Sequence, residues 1–392
     1  MKTLTIDECF YQIRNGANIK QGVEEGGYPI TRIETIANGR FNRERMGYAG
    51  IIDLGKYESY LLEDGDLLMS HINSIQYLGR TVLYKRQGDE KIIHGMNLLG
   101  LKADKKLILP EYAKYYFCSS PFRKQISKIT KKSVNQASFA VTDLKKVTLE
   151  LPALFEQECI ANTLNKINKV IYKYQQQLQK LDELIKSRFV ELFGDPIMNP
   201  KGWEVVTIGD ITTEVRYGTS KPAVEGGKYP YLRMNNLTID GHLDLTELKY
   251  IDIPDDEIEK CVVRKGDILF NRTNSIELVG KTAVFDFPDD MVIAGYIIRV
   301  RLNTKMLPEV LSQYMNLEAI KDIFRSMAKG AVNQANINAQ ELQSIRVYVP
   351  DIELQKQFVE MKEQIDKSKV AVQKSLDETQ LLFDSLMQKY FG

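Results

Sequence analysis

The sequence predicts an α+β fold in which two similar mixed α/β globular domains lie inverted at the ends of a long antiparallel two-helix coiled coil. Two patterns predict it: a duplication of the whole chain and a heptad repeat near the end of each half. Gly65-Asp66 recurs as Gly266-Asp267 at an offset of 201 residues, and the run 134–137 recurs as 332–335 at an offset of 198. A period near 200 residues is that of a domain, since solenoid repeats have only about 20–50 residues.

The duplication divides the chain into four segments. The predicted domains span residues 1–152 and 195–350, and each is followed by a long helix, at 153–194 and 351–392. Short β-rich runs separated by turns that contain Asn, Gly and Asp predict strands in each domain. A helical pattern follows Pro110 in the first domain, where proline suits a first helical turn.

Both long helical segments carry apolar residues spaced by three and four positions. The pattern is weaker in the second segment, where Lys369 and Thr379 occupy inward positions; packing against partner helices and local fraying both remain open there. Residues with this spacing form an apolar stripe, or seam, along one side of each helix. Such a seam favours pairing of the two helices over two separate surface helices. The predicted seam residues are Leu164, Ile167, Ile171, Tyr174, Leu178, Leu181, Ile185, Ile365, Val372, Leu376 and Phe383.

The short connection after the first helix determines how the helices pair. Only residues 194–202 follow Phe193 before the second domain, so that domain must lie at the far end of the first helix. The second helix starts from the same domain and can pair along the first only by running antiparallel to it. At about 1.5 Å per residue, a helix over residues 154–192 would be about 58 Å long.

Composition excludes several classes of protein and site. The net charge is only +1, and no apolar run approaches the roughly 18 residues that span a bilayer, so we expect a cytoplasmic protein. His71, His94 and His242 have no second ligand nearby, and the four cysteines, expected to be reduced and buried, lack a CxxC spacing, which predicts no metal site. The run 280–282 resembles the end of a phosphate-binding loop, but Ser275 stands where that loop needs glycine. We therefore predict a non-catalytic chain without a cofactor of its own.

Two similar domains at a fixed separation suit the local dyad of duplex DNA. Protein dimers use such an arrangement to read half-sites about one helical turn apart. Because the two domains differ in sequence, the expected target is asymmetric: two short sequences with an unread gap between them. The paired helices would set the length of that gap.

Three polar loops in each domain are candidate DNA-binding elements. A basic helix end leads into Asn135-Gln136 in the first domain and into Asn333-Gln334 in the second; such cations suit phosphates, and the amides can reach bases. The loops after the Gly-Asp strand and after the Tyr-Pro strand are the other two, since loops on a rigid sheet often carry specificity. A solvated helix end with turn-capping amides stays the alternative for any single residue. The candidates are Arg32, Arg40, Arg43, His71, Asn73, Gln76, Lys131, Lys132, Asn135, Gln136, Arg233, Asn235, Arg272, Asn274, Lys329, Asn333 and Gln334.

The duplicated motifs resemble those of a known family, the specificity (S) subunits of type I restriction–modification systems. The resemblance covers essentially the whole chain. It rests on Gly202-Trp203-Glu204, the GDIL phrase at 266–269, the Gly-x-x-x-Gln loop at 330–334 and the Phe-Gly dipeptides at 193–194 and 391–392. No single motif is specific, but their duplicated order is. In that family each globular region is a target recognition domain, and the helices are spacers.

The resemblance implies that the chemistry belongs to partners. It implies binding to double-stranded DNA, to two methyltransferase (modification) subunits that carry S-adenosylmethionine and methylate adenine, and to restriction/translocase subunits that use ATP and Mg²⁺. The modest net charge is compatible with this, because partners can neutralise many of the phosphates. The sequence leaves open a second hypothesis, a coiled-coil scaffold whose end domains bind proteins.

Overall fold

The structure is a computed structural model, and the residues that it describes are 2–22, 26–133, 136–328 and 335–392. It contains two compact units. Unit 1 is Met1–Gln175 with Lys374–Gly392, and unit 2 is Gln176–Gln373. Each unit therefore combines one globular region with part of both long helices.

Unit 1 is built from short strands and helices that precede the first long helix. Its strands are Lys2–Thr5 (β1), Phe10–Asn15 (β2), Pro29–Ile30 (β3), Gly47–Tyr48 (β4), Leu67–Ser70 (β5), Ile72–Asn73 (β6), Thr81–Leu83 (β7), Leu98–Ala103 (β8), Lys131–Lys132 (β9), Ala137–Ser138 (β10) and Thr148–Leu151 (β11). Its helices are Ile6–Cys9 (α1), Pro110–Tyr116 (α2), Ser120–Ile129 (α3) and Val141–Leu144 (α4); the first long helix is Leu154–Phe193 (α5).

A four-stranded antiparallel sheet in the order β2-β8-β5-β7 forms the centre of unit 1. Strand β5 pairs with both neighbours, and Leu67 lies opposite Leu101 and Leu83. All four residues of β5 are buried, as expected for a short apolar run in the middle of a sheet. Two smaller sheets, β1-β11 and β6-β10-β9, attach the first strand to the strand before α5 and the basic hairpin to the segment after β5.

Unit 2 repeats these elements and adds others. Its strands are Glu204–Thr207 (β12), Thr212–Tyr217 (β13), Tyr229–Leu232 (β14), Lys249–Ile251 (β15), Val262–Val263 (β16), Ile268–Asn271 (β17), Thr273–Asn274 (β18), Thr282–Val284 (β19), Met291–Ile293 (β20), Ile297–Leu302 (β21), Ala335–Asn336 (β22) and Arg346–Val349 (β23). Its helices are Ile258–Cys261 (α6), Pro308–Met315 (α7), Glu318–Met327 (α8) and Ala339–Gln343 (α9); the second long helix is Ile352–Phe391 (α10).

The sheets of unit 2 follow the topology of unit 1. The order β13-β21-β17-β19 matches the central sheet, and the pairs β12-β23 and β18-β22 match two smaller ones. Unit 2 differs by a further four-stranded sheet, β15-β14-β20-β16, where unit 1 has only the pair β3-β4 among its described residues. The predicted α+β fold class is confirmed, and the duplication extends from the motifs to the topology.

A buried glutamine fixes the start of each long helix in the same way. The Oε1 atom of Gln157 accepts a hydrogen bond from the backbone N–H of Leu109 (3.0 Å), and its Nε2 donates to the carbonyls of Leu107 and Pro152 (both 3.0 Å). Gln355, at an offset of 198 residues, makes the three corresponding bonds in unit 2. Both side chains are fully buried, so every bond replaces lost hydration.

The two long helices pack antiparallel. In unit 2, Phe193 at the end of α5 contacts Phe358 near the start of α10, with ring centroids 5.6 Å apart. Eleven residues earlier in α5, the carboxylate of Asp182 lies 2.5 Å from the ammonium of Lys369, which is eleven residues later in α10. Unit 1 shows the same sense, because the first turns of α5 share a core with the last turn of α10.

The predicted seam residues lie on the sheltered faces of α5 and α10. All eleven predicted seam residues are buried or half-buried, and Leu164 is fully buried. The inward Lys369 is held by Asp182, and the hydroxyl of the inward Thr379 donates to the carbonyl of Ser375 (2.7 Å). The weaker part of the second seam therefore contains satisfied polar groups.

The cysteines agree with the sequence prediction only in part. Cys9 and Cys261 are buried free thiols, but Cys118 and Cys159 are exposed, so burial was wrongly predicted for those two. Their apolar sequence neighbours occupy other faces of the helical turns. Among the described residues, no helix has the length and apolarity that crossing a membrane requires. In the same residues, no three His, Cys, Asp or Glu side chains are grouped as metal ligands.

Candidate nucleic-acid interface

The duplicated Gly-Asp motif forms the turn before the central strand in each unit. Gly65 has a φ of +96°, which favours glycine. The carboxylate of Asp66 accepts the backbone N–H three residues earlier (2.9 Å) and lies 3.1 Å from the ammonium of Lys102. In unit 2, Asp267 pairs with Arg301 at 2.8 Å in the same place. The motif therefore anchors the central sheet in each unit.

The asparagines after the central strand also shape their own loops. The side-chain oxygen of Asn73 accepts the next backbone N–H (2.7 Å), and its amide lies 3.4 Å from the hydroxyl of Ser70. Asn274 does the same in unit 2, where its amide donates to the side chain of Asn271 (2.8 Å). Both amides are half-buried and turned toward their own chain.

Two predicted residues precede these asparagines, and they lie in different environments. His71 is only 7% exposed, and its ring packs edge-on against Phe139. Burial lowers the pKa of His71, so the ring is neutral at neutral pH. In unit 2 the matching residue is Arg272, half-buried with its guanidinium 4.9 Å from the ring centroid of Tyr217.

Two of the candidate loops of unit 1, and the basic helix that leads into the third, line one cleft with a volume of about 710 Å³. It lies between the segments 37–39 and 75–81 and the helices α2 and α3. The cleft is lined by three cationic side chains, Arg80, Lys114 and Arg123, and no carboxylate lines it among the described residues. The guanidinium of Arg80 stacks on Tyr77 at 4.5 Å. An uncompensated set of cations beside an aromatic ring suits a polyanion.

The basic hairpin extends this surface. Lys131 and Lys132 are exposed on β9, which pairs with β10, and β10 pairs in turn with β6. The sheet β6-β10-β9 thus connects these lysines to the loop that carries Asn73. Gln136 is exposed between β9 and β10, and its carbonyl accepts two hydrogen bonds from Ser133.

The arginines after the Tyr-Pro strand are used by the fold. The Nε of Arg32 donates to Gln21 (2.9 Å). Arg43 donates two hydrogen bonds to the carboxylate of Glu90, at 2.8 and 2.6 Å, and these bonds lower the pKa of Glu90 to about 2. Arg40 is exposed and contacts helix α5.

The equivalent loop in unit 2 lies closed against the protein. The ammonium of Lys321 on α8 donates to the carbonyl of Ile239 (2.8 Å), and Lys281 donates to the carbonyl of Met234 (2.7 Å). Arg233 lies 3.4 Å from a backbone carbonyl fourteen residues later, whereas Asn235 is exposed. The two units thus present different polar surfaces at equivalent places.

None of the three cations of the cleft is among the predicted DNA-binding residues, and some predicted residues lie outside the described part of the chain. Lys114 lies among apolar residues of α2, and only the packing of α2 against the two loops brings it to the cleft. The predicted residues outside the described ranges are Asn135, Lys329, Asn333 and Gln334.

A family model described as the type I restriction modification DNA specificity domain matches the chain twice, over residues 2–184 and 200–379. The two matches follow the duplication and cover most of the chain. The chain belongs to the type I restriction–modification specificity family. It is a specificity subunit with two target recognition domains and a non-catalytic role in DNA recognition.

Other specificity subunits resemble this one along most of their length. The MjaX specificity subunit assigned to a type I restriction enzyme of Methanocaldococcus jannaschii is 30% identical over 371 residues, which are 90% of this chain and 84% of that protein. The EcoKI specificity subunit of Escherichia coli is 24% identical over 314 residues, or 74% of this chain and 67% of that protein.

Two solved structures show the same fold. The S subunit of a type I restriction–modification system from M. genitalium has a TM-score of 0.58 at 16% identity, over 100% of this chain and 96% of that one. A second structure, from work on complex assembly in a type I R-M system, has a TM-score of 0.53 at 17% identity, over 100% and 97% of the two chains.

The candidate DNA-binding residues of this specificity subunit stay predictions, and the structure divides the described ones by exposure. Exposed side chains are available to DNA, whereas the half-buried arginines and asparagines support loops. The exposed candidates are Arg40, Gln76, Lys131, Lys132, Gln136 and Asn235. The half-buried or buried candidates are Arg32, Arg43, His71, Asn73, Arg233, Arg272 and Asn274.

Proposed function

We propose that this specificity subunit reads a bipartite, gapped and asymmetric target in double-stranded DNA, one half-sequence with each globular domain. The paired helices act as the spacer that sets the gap. The observation that carries the proposal is a duplication with divergence: both domains have one topology, but their loops expose different polar groups. Two equal domains would read a palindrome, whereas two different domains read two different sequences.

The cleft of unit 1 supports this use. Arg80, Lys114 and Arg123 can neutralise phosphates, which fixes the protein on the duplex without reading sequence. Asn38 and Gln76 line the same cleft, and their amides can donate to and accept from base edges. A half-sequence is therefore read at the loops, and the cations beside them supply affinity.

The chemistry is assigned to partner subunits. We infer that the subunit binds two adenine methyltransferase (modification) subunits, because the chain contains two domain-and-helix repeats, and that it also binds restriction/translocase subunits. Exposed apolar residues on α10 support docking: Val370 in unit 2 is 71% exposed, and Leu381 and Leu382 in unit 1 are 69% and 51% exposed. S-adenosylmethionine, ATP and Mg²⁺ would be bound by those partners, in the cytoplasm where the DNA is.

Co-expression with the modification subunit of its own system, in a host without DNA methylation, tests the proposal. Modified adenines are then mapped across the genome. We expect one two-part motif with a fixed gap and different half-sequences. Cells with the modification subunit alone are the control and should show no such motif.

Two results would contradict the proposal. A motif without a gap would remove the role of the second domain. A stable complex that leaves the genome unmodified, although the modification subunit is active with another specificity subunit, would show that this chain does not direct methylation.

A further inference from the structure

The loop that connects the paired strands β3 and β4 of unit 1 contacts the long helix α5. Arg40 follows Gly39, whose φ is +69°. The guanidinium of Arg40 lies over the ring of Tyr172 at 4.1 Å, and its Nη2 is 3.4 Å from the side-chain oxygen of Gln175. Both partners belong to α5. A cation stacked on an aromatic face is attracted by the ring quadrupole.

Unit 2 ties the equivalent loop to its own long helix with different chemistry. His242 follows Gly241, whose φ is +86°. The Nε2 of His242 is 3.2 Å from the ammonium of Lys369 on α10. Burial, together with the charge of Lys369, lowers the pKa of His242, so the neutral ring accepts a hydrogen bond from the ammonium. Asp182 holds the same ammonium from α5.

The two contacts occupy equivalent places. Arg40 and His242 each follow a left-handed glycine, at an offset of 202 residues. The helix position equivalent to Tyr172 at an offset of 198 is 370, next to Lys369. Duplication has thus kept a contact between this loop and this helical turn while every side chain that makes it has changed. The two repeats therefore share the contact but not the side chains that form it.

The contacts add a second point of attachment between each domain and its helix. The domain cores already hold the helices near Ile160 in α5 and Phe358 in α10, two residues related by the offset of 198. Tyr172 and Lys369 lie 12 and 11 residues further along, which is about 16–18 Å of helix. Each core also holds the other long helix, through Phe391 in unit 1 and Phe193 in unit 2. A contact further along the helix adds leverage against rotation of the domain about this core attachment.

The loop that contacts the long helix also belongs to the surface proposed to bind DNA. In unit 1, Asn38 and Gly39 line the cleft, just before Arg40. In unit 2, Ile239 of the same loop accepts a hydrogen bond from Lys321 on α8. A change in the loop-to-helix contact therefore moves polar groups that face DNA.

We propose that Arg40 on Tyr172, and His242 on Lys369, are positioning contacts that hold each recognition domain at a fixed angle on the spacer helices and so keep the target gap at one length. The inference rests on the proposed function. It reassigns Arg40, which the sequence suggests as a DNA contact, to a role that acts through the helix.

The test uses the full chain with its modification subunit and measures methylation of duplexes whose gap is the native length, one base pair shorter or one longer. For the unchanged chain we expect methylation at the native gap alone. Arg40→Ala, Tyr172→Ala and His242→Ala should each raise methylation at the wrong gaps at least tenfold relative to the native gap. Tyr172→Phe keeps the aromatic ring, so methylation should stay confined to the native gap. Arg40→Lys keeps the positive charge, so methylation should be confined to the native gap more strictly than in Arg40→Ala.

Control variants distinguish a positioning role of Arg40 from a direct contact with phosphate. Lys173→Ala, at an exposed neighbouring position of α5, should leave the gap unchanged. If Arg40 contacts phosphate, Arg40→Ala would lower methylation at all gaps equally and Tyr172→Ala would have no effect; that result overturns the inference. If the unchanged chain directs no gapped methylation, the proposed function fails instead. Thermal unfolding of each variant confirms that the fold is retained.

Discussion

Arg123 is the most exposed cation of the cleft in unit 1, and no carboxylate lines that cleft among the described residues. If its guanidinium neutralises one phosphate, Arg123→Ala removes one released counterion. We expect weaker DNA binding and a slope of log K against log salt that is smaller by about 1. Titration of the assembled complex with target duplex at several salt concentrations measures both quantities.

The matched control for Arg123 is Lys146, an exposed cation of unit 1 that does not line the cleft. Lys146→Ala changes the net charge by the same amount. It should leave the salt slope unaltered, because a distant charge acts only through the screened field. Equal losses for the two variants would show that the cleft has no special role.

The Arg43–Glu90 pair makes a prediction about pH. Hydrogen bonds from Arg43 lower the pKa of Glu90 from 4.5 to about 2. Because the folded value lies below the unfolded one, this stabilisation is fully present above about pH 4.5 and is lost as the pH falls toward 2. Glu90→Gln should therefore lower the free energy of unfolding by about 1–2 kcal/mol at pH 7, a range that allows for solvent screening.

Urea unfolding between pH 7 and pH 2.5 measures the effect of Glu90→Gln. The difference from the unchanged protein should shrink as the pH falls. Glu44→Gln, at an exposed carboxylate of the same segment, is the control and should stay within about 0.5 kcal/mol at every pH. A difference for Glu90→Gln that is constant with pH would mean that packing, not the ion pair, is what the substitution removes.

At the scale of single residues, a sequence pattern shows which residue types are present. It does not show which other residues they contact in the fold. Arg43 looks like a DNA contact until Glu90, 47 residues away, is brought to it by the fold. The buried ring of His71 depends in the same way on Phe139, which is distant in sequence. Lys114 shows the reverse case, because its apolar neighbours on α2 conceal a cation that faces the cleft.

At the scale of elements, the antiparallel seam makes neighbouring positions of α5 unequal. Ile185 is 5% exposed, whereas Leu184 next to it is 42% exposed. Ile185→Asp would place a carboxylate in the core of unit 2 without a partner and should lower the free energy of unfolding by several kcal/mol. Leu184→Asp adds the same charge at the surface and should change it by about 0.5 kcal/mol or less.

Chemical unfolding of both variants tests the seam. If α5 and α10 did not pack together in solution, both substitutions would lie on a solvent-exposed helix and would have similar small effects. If Leu184 were instead covered by a partner subunit, Leu184→Asp would leave stability unchanged but weaken assembly. Comparing unfolding with binding to the modification subunit separates these outcomes.

Helices that have a pattern in their own sequence were predictable. Strands that form only by pairing with distant segments were not. The heptad spacing and the Pro at the start of α2 are local, and these helices are found where the sequence indicates them. The sheet β15-β14-β20-β16 was not predicted, since its strands have only two to four residues and include a parallel pairing between residues 61 positions apart. Such pairing leaves little periodic pattern in a short strand.

At the scale of the whole molecule, divergence between repeats is greater at the loops than in the frame. The Gly-Asp turns, the buried glutamines and the central sheets are kept in both units. The loop that connects β3 to β4 in unit 1, and β14 to β15 in unit 2, differs in every side chain that contacts its helix. A constant frame with variable loops suits a protein whose two domains present different surfaces.

The proposed role of the paired helices as a spacer can be tested by changing their length. Phe193 with Phe358, and Asp182 with Lys369, define one antiparallel register between α5 and α10. Seven residues inserted after Gln175, with seven inserted after Ser375, keep that register and the heptad seam. They lengthen the paired helices by about 10 Å, which is about three base pairs. The unread gap in the methylated motif should lengthen by that amount, while both half-sequences stay the same.

Insertion into α5 alone is the control for the heptad experiment. It shifts one half of the seam past its partner, so seam residues lose their contacts and directed methylation should fall sharply. Genome-wide mapping of modified adenines reads out gap and half-sequences together. If the doubly extended protein folds, assembles and still methylates at the original gap, the helices do not set the spacing, and the separation of the half-sites must be fixed by the partner subunits.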